Sequence, residues 1–241
     1  MFRSALLDAL ALVLPTDCAA CGAPDRALCD ACGAQLVPTV TQLAIRRAHA
    51  PPLAVWSALP YRETVASALS KLKESGRTDV ARPLALVLSA AVTEARQSAL
   101  ERLPVGAAVE LALAPSSRAA YRQRGYNPVA LLARPSRVGL PCLRPLRVAR
   151  ATRDQAGLGV TDRRANLDGS LLVRTRFAGG SLQGRNLVLV DDVVTTGATL
   201  FECRRALEHA GARVLGAATL AFAERRSGAS SVEVITESST Q

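Results

Sequence analysis

The stretch LVLVDDVVTTGATL, from Leu187 to Leu200, limits the fold more than any other part of the chain. Leu187 to Val190 are consecutive apolar residues, the pattern of a short strand buried on both faces, as in a parallel sheet covered by helices. Asp191 and Asp192 follow at once, and Thr195, Thr196, Gly197, Ala198 and Thr199 then lead into a helix expected to begin near Thr199. Ligands of open α/β sheets collect outside the carboxyl ends of the strands. At the start of the helix, N–H groups point outward with the positive end of its dipole, and Gly197 permits close approach. Such a stretch suits a ligand with a phosphate at one end and hydroxyls or a metal at the other. Carboxylates accept hydrogen bonds from vicinal hydroxyls, directly or through water, and ribose 5-phosphate has that form. A capped strand–helix turn with two solvated carboxylates would use the same residue types without a ligand. Neither G-x4-G-K-[ST] nor G-x-G-x-x-G occurs there, so it is neither a Walker loop nor a dinucleotide fingerprint.

The rest of the chain alternates strand and helix patterns. Leu53 to Tyr61 reads as a strand, and RETVASALSKLKESG as a helix with Val65, Ala68, Leu69 and Leu72 on one stripe and Gly76 as its stop. A second helix is expected over Arg82 to Leu103, entered through Pro83, and a second buried strand over Val109 to Ala114, cut by Pro115. A helix ending at Gly211 precedes a strand from Val214 to Ala221. The expected fold is α/β, a mainly parallel sheet flanked by helices. A chain of 241 residues has room for that domain and a small appendage. TQLAIRRAHAPP reads as a linker between them, and the Ser-rich end as a loose tail. The division is therefore 1–50, 51–224 and 225–241.

The appendage carries four of the six cysteines, in CAACGAPDRALCDAC. Cys18, Cys21, Cys29 and Cys32 have the spacing C-x2-C-x7-C-x2-C, two knuckles that together form a tetrahedral site for a structural zinc ion. Disulfides are the rival pairing, disfavoured in a cytosolic chain. Leu6, Leu7, Leu10 and Leu14 recur at helical spacing, and Asp8 interrupts what would otherwise resemble a secretory core, so an amphipathic helix is expected there. No stretch approaches the length of a membrane span, and a cytoplasmic location is expected. Cys203 falls on the apolar face of its helix and reads as a core residue.

The net charge of +10 comes almost wholly from arginine. Eleven arginines fall between Arg118 and Arg164, against Asp154 and Asp162. Arginine forks match phosphate oxygens, which points to a polyanionic partner, nucleic acid or a sugar polyphosphate; a solvated basic face is the plain alternative. Aromatic residues make up only 3%, which argues against an RNA reader built on stacking platforms.

Taken together, LVDDVVTTGATL resembles the phosphoribosyl diphosphate (PRPP) motif of type I phosphoribosyltransferases. The resemblance spans nearly the whole chain. The four-cysteine module, YRETVASALSKLK, PSSRAAYRQRGYN, RATRDQAGLGVTDRRANLDGSL and LVDDVVTTGATL occur in the order found in the competence protein ComF family. That family is similar in fold to the phosphoribosyltransferases and is associated with uptake of single-stranded DNA by transformable bacteria. The resemblance implies a PRPP site in which Asp191 and Asp192 hold the ribose hydroxyls. Val193 and Val194 would lead into Thr195, Thr196, Gly197, Ala198 and Thr199, which would hold the 5-phosphate. Ser116, Ser117 and Arg118 would face the leaving pyrophosphate with Mg²⁺. Arg124, Gly125, Tyr126 and Asn127 match the family's R-G-F/Y-N element, and Gln155, Arg163 and Asn166 are candidates for a mobile lid hinged at Gly157 and Gly159. The chain departs from the family at Pro128 and in LALAPSS, where a P-V-P entry is usual.

Chemistry at such a site is positioning plus electrostatic stabilisation, with Asp191, Asp192 and Arg118 carrying it and no side chain acting as nucleophile. His49 and His209 lie away from the motif and read as incidental. Three functions follow: a competence factor handling single-stranded DNA with the uptake machinery, a phosphoribosyltransferase of nucleotide salvage, or a regulator that senses PRPP without turning it over.

Overall fold

A computed structural model describes residues 17–24, 26–48, 50–134, 141–149, 169–223 and 232–235. The expected N-terminal amphipathic helix and the lid candidates Gln155, Arg163 and Asn166 lie outside the described residues.

A short helix α1 (Asp30–Ala34) leads to the hairpin β1 (Thr41–Arg47) and β2 (Ala50–Pro60). Helix α2 (Glu63–Glu74), a 3-10 turn at Thr78–Val80 and the long helix α3 (Ala81–Glu101) follow. After β3 (Glu110–Leu113) come two short helices, α4 (Arg118–Arg124) and α5 (Pro128–Ala133). Strands β4 (Cys142–Leu143), β5 (Leu146–Val148) and β6 (Leu171–Val173) precede β7 (Asn186–Val194), α6 (Ala198–His209), β8 (Arg213–Phe222) and β9 (Val232–Val234).

Seven strands form one sheet in the order β4-β3-β7-β8-β2-β1-β9, and β5 and β6 pair separately as an antiparallel hairpin. Pairing is parallel from β4 across to β2; β1 and β9 add an antiparallel edge. The expected double burial of β7 is seen: Leu187, Val188, Leu189 and Val190 are all 0% exposed. Val188 and Val190 pack with residues of α2, α3 and α5 on one face, while Leu187 and Leu189 pack with α6, β1 and the β5–β6 hairpin on the other. A strand sandwiched between two layers has no polar face, so its alternation disappears. Close packing also fixes Gly216 of β8, where an added Cβ would come within 2.8 Å of the Trp56 ring.

Two segments differ from expectation. TQLAIRRAHAPP is not a linker: β1 occupies it, and β2 begins at Ala50 instead of Leu53. Leu43 and Ile45 are fully buried on one face, a period-two signal that Pro51 and Pro52 obscured. The register shifts between Ile45 and Arg47, opposite these prolines, and such an irregularity is where a strand tolerates residues lacking an N–H. Nor is the end of the chain wholly loose, since Val232–Val234 pairs along the outer edge of β1.

Candidate functional site

The acidic pair lies inside β7 and not beyond its end. Strand β3 stops with Leu113 opposite Val190, whereas β8 accompanies β7 as far as Val194, opposite Phe222. Asp191 and Asp192 therefore sit in an overhang, supported from one side and open on the other. The Asp191 carboxylate accepts the N–H of Asp192 at 2.9 Å, and Asp192 pairs with the Lys73 ammonium of α2 at 2.8 Å. Burial, and then the charge of Asp192, raise the Asp191 carboxyl to about 7, against the opposing pull of the Asp192 N–H and Lys73. Near neutrality the charge of Asp191 is therefore set by pH.

Beyond Val194 the chain turns through Thr195 and Thr196 into α6, whose N-cap is Gly197 at φ 73°. A glycine brings no side-chain oxygen to the first helical N–H groups; the Thr196 hydroxyl accepts that of Ala198, at 3.3 Å. The turn and first helical residues wrap a small cavity of about 30 Å³ beside Asp191. Gly197 is required twice over: its φ is left-handed, and a Cβ would meet Ile45 of β1 at 2.6 Å. Gly197→Ala should destabilise the fold by about 2–4 kcal/mol from backbone strain and overpacking. A melting temperature lowered by several degrees checks it, and an unchanged one refutes the close approach.

Ser116, Ser117 and Arg118 follow β3 on the neighbouring strand end. The Ser117 hydroxyl caps α4 by accepting the Ala120 N–H at 3.1 Å, while Ser116 and Arg118 face a large cavity. The R-G-Y-N element acquires a structural explanation. The Tyr126 hydroxyl donates to the Leu72 carbonyl, and Arg124 donates to the Lys73 carbonyl at 3.5 Å. Asn127 donates to the Ala114 carbonyl at 3.1 Å and caps α5 by accepting the Ala130 N–H at 3.2 Å. Pro128, the departure from the family pattern, stands at the first position of α5, where a missing N–H costs nothing. The element is thus a strut between the end of α2 and the loop after β3. It holds Lys73 against Asp192. Lys73 is the site residue that sequence reasoning passed over; a lysine in the last turn of a helix looks like a favourable charge for the dipole.

Thiols of Cys18, Cys21, Cys29 and Cys32 converge, with all four sulfurs within 4.8 Å of one another. Tetrahedral coordination by zinc needs sulfurs about 3.8 Å apart, so this cluster fits the ion; Cys21 and Cys29 stand at 3.6 Å. Burial of Cys18 opposes ionisation, yet the N–H groups of Cys29, Cys21 and Ala20 outweigh it and bring the thiol down to about 6. Burial and the neighbouring thiols push Cys32 up. Ala19 and Leu36 of this module enter the core cluster of α2 and α3. Cys203 is fully buried, as its helical position implied, and His209 ends α6 away from the acidic pair. No helix of the described residues is long and apolar enough to cross a membrane.

The phosphoribosyl transferase domain model matches residues 139–238, which include the acidic pair and the turn after it. Among curated proteins, the chain is 30% identical over 203 residues to DNA utilization protein YhgH of Escherichia coli O157:H7, covering 81% of this chain and 84% of that protein. It is 31% identical over 156 residues to competence protein F of Haemophilus influenzae, covering 63% and 65% respectively. A shorter match, 48% over 50 residues, joins 21% of the chain to 27% of an adenine phosphoribosyltransferase of Corynebacterium kroppenstedtii.

Proposed function

The chain belongs to the ComF family of competence-related proteins with a phosphoribosyltransferase-like domain, and from that premise we propose that it binds PRPP with Mg²⁺ and acts on single-stranded DNA during its uptake. The observation that carries the sugar-phosphate reading is the overhang of β7, where two carboxylates stand beside a glycine-started helix. Asp191 and Asp192 accept the ribose hydroxyls. The 5-phosphate rests on the outward N–H groups of Thr195–Thr199, at the mouth of a cavity too small to enclose it. Ser116, Ser117 and Arg118 would face the diphosphate, and Mg²⁺ bound with it would supply charge neutralisation. Arg118 adds a fork to the same oxygens. Zinc in the four-cysteine cluster is structural: with all four ligands supplied by the chain, no position stays open for chemistry. The ion pair with Lys73 at 2.8 Å orients Asp192, so the pair presents its acceptors to the hydroxyls. A salvage transferase or a PRPP sensor would use the same pair and cradle, and pyrophosphate release in the presence of an acceptor separates the first of these from binding alone.

Titration calorimetry with PRPP and Mg²⁺ tests the reading through its pH dependence. Asp191 accepts hydroxyl hydrogen bonds fully only when ionised. With its carboxyl raised to about 7, the ionised share grows about tenfold between pH 6 and pH 8. Affinity should rise by a similar factor across that range. In Asp191→Asn the component centred near pH 7 should vanish, leaving only the contribution of the phosphate itself, which ionises near pH 6. The same pH dependence in both proteins refutes the assigned role of Asp191.

The DNA arm is read from salt. Four phosphate contacts to a single strand should weaken binding about 50-fold between 50 and 200 mM salt. Absent or salt-insensitive binding of an oligothymidylate overturns that part.

A further inference from the structure

A large cavity beside the site is not accounted for by a sugar phosphate. It encloses about 720 Å³ between the loop after β3, helix α4 and the β5–β6 hairpin. Arg118, Arg122, Arg144, Arg147, Arg174 and Arg176 line it, and among the described residues no carboxylate does. Among the described residues, none of these six makes an ion pair. Arg174 spends one N–H on the Leu146 carbonyl at 3.1 Å, which fixes the side chain along the cavity wall. Six guanidinium groups around one volume repel each other, and an anion between them relieves that repulsion.

A diphosphate alone explains only part of this. Ser116 and Arg118 sit on the loop that would take it, whereas Arg144, Arg147, Arg174 and Arg176 belong to the hairpin and its flanks. The remaining walls are apolar and aromatic: Leu146, Val148, Phe177 and Tyr121. A bare polyphosphate has no use for them. Tyr121 is 52% exposed, a large surface to leave in water on a helix of about two turns such as α4. Arginine forks grip phosphate bidentately and also stack on planar rings, so rings and forks together fit a ligand with both a phosphate and an aromatic base. The chain has few aromatic residues, and two of them stand here.

We infer that this cavity takes a nucleoside phosphate, its phosphate on the hairpin arginines and its base against Phe177 and Tyr121, so that the partner of PRPP at this site is a phosphorylated nucleotide and not a free base. The inference rests on the reading of Ser116–Arg118 as the diphosphate loop, which places the cavity next to the sugar. The nucleotide is either free or the terminal unit of a single strand, and the two sources share one chemistry.

The test is calorimetric titration of the full, zinc-loaded chain with dTMP, thymidine, pyrophosphate, and octathymidylate with and without a 5′-phosphate. Expected results are dTMP binding at least about 10-fold tighter than thymidine, and about 10-fold tighter than pyrophosphate through stacking. Arg147→Ala/Arg176→Ala should weaken dTMP at least 10-fold. Tyr121→Ala, at an exposed position that leaves folding intact, should weaken dTMP without changing pyrophosphate. Asp191→Asn/Asp192→Asn should leave dTMP binding in place. Competition of dTMP by the 5′-phosphorylated octamer assigns the terminal unit of a strand; binding of dTMP without such competition assigns the free nucleotide. Pyrophosphate binding as tightly as dTMP, or thymidine as tightly, overturns the inference. So does dTMP binding lost in the aspartate variant and untouched in the arginine one, because the nucleotide would then occupy the cradle. Failure of PRPP to bind while the arginine-dependent dTMP binding persists would instead remove the sugar-phosphate reading alone.

Discussion

Asp191→Asn/Asp192→Asn should abolish PRPP binding, with affinity falling by at least 100-fold. Each carboxylate offers charge-assisted hydrogen bonds to a ribose hydroxyl, worth about 1.5–3 kcal/mol apiece. Losing two such interactions costs about 3–6 kcal/mol, a factor of roughly 10²–10⁴. An amide keeps the size and one acceptor oxygen but presents an NH2 group where a hydroxyl must donate. Folding should survive, because the exchange removes the repulsion between neighbouring carboxylates and relieves the buried Asp191, whose carboxyl already resists ionisation. Calorimetry with PRPP and Mg²⁺, beside a melting curve, checks both halves. Binding within a few-fold of the parent in a folded double variant would remove the acidic pair from the sugar site. The expected asymmetry between the single variants is also informative. Asp192→Asn leaves Lys73 without its partner at 2.8 Å, so it should cost more stability than Asp191→Asn, which removes a carboxyl that burial disfavours.

Stripping zinc should be the largest effect on stability. A strong chelator, or Cys32→Ser, should cost about 3–5 kcal/mol and lower the melting temperature by roughly 6–20 °C, since metal binding energy in such clusters is folding energy. The four-cysteine module has a structural reach beyond its own residues. Ala19 and Leu36 lie in the core between the module and α2. Arg77, just past the end of α2, donates to the Asp17 carbonyl at 2.8 Å next to Cys18, and is itself held by Asp79 at 2.7 Å. Helix α2 carries Lys73 to Asp192, so loss of the metal should weaken PRPP binding as well as folding. Elemental analysis finding one zinc per chain, together with a melting curve before and after chelation, is the measurement. A chain that melts identically with and without chelator refutes a structural metal.

Much of the architecture was legible because it rests on short-range chemistry. The buried run Leu187–Val190, the stripe of Val65, Ala68, Leu69 and Leu72, and the Gly197 turn each declare themselves within one or two turns of chain. The cysteine spacing did the same, since two knuckles fold locally before they meet. Where local signals competed, the reading failed: Pro51–Pro52 hid the alternation of Leu43 and Ile45, and a serine-rich composition hid Val232–Val234. Both segments belong to the antiparallel margin of the sheet, where a strand's existence depends on a neighbour to pair with more than on its own propensity. The R-G-Y-N element was recognisable as a motif yet had no readable purpose, because its partners are backbone carbonyls, which no residue type records.

By itself, the sequence determined the central strands, the long helices, the acidic pair and the cysteine cluster, since period, turn chemistry and ligand spacing are properties of neighbours along the chain. The tertiary structure alone decided that β7 outruns β3 and leaves Asp191 and Asp192 in an overhang. It alone brought Lys73 to Asp192 and gathered arginines from four separate segments around one cavity. Those relations join residues far apart in the chain, where the distance between charged groups is set by how helices and strands pack and by nothing in the local order of residues.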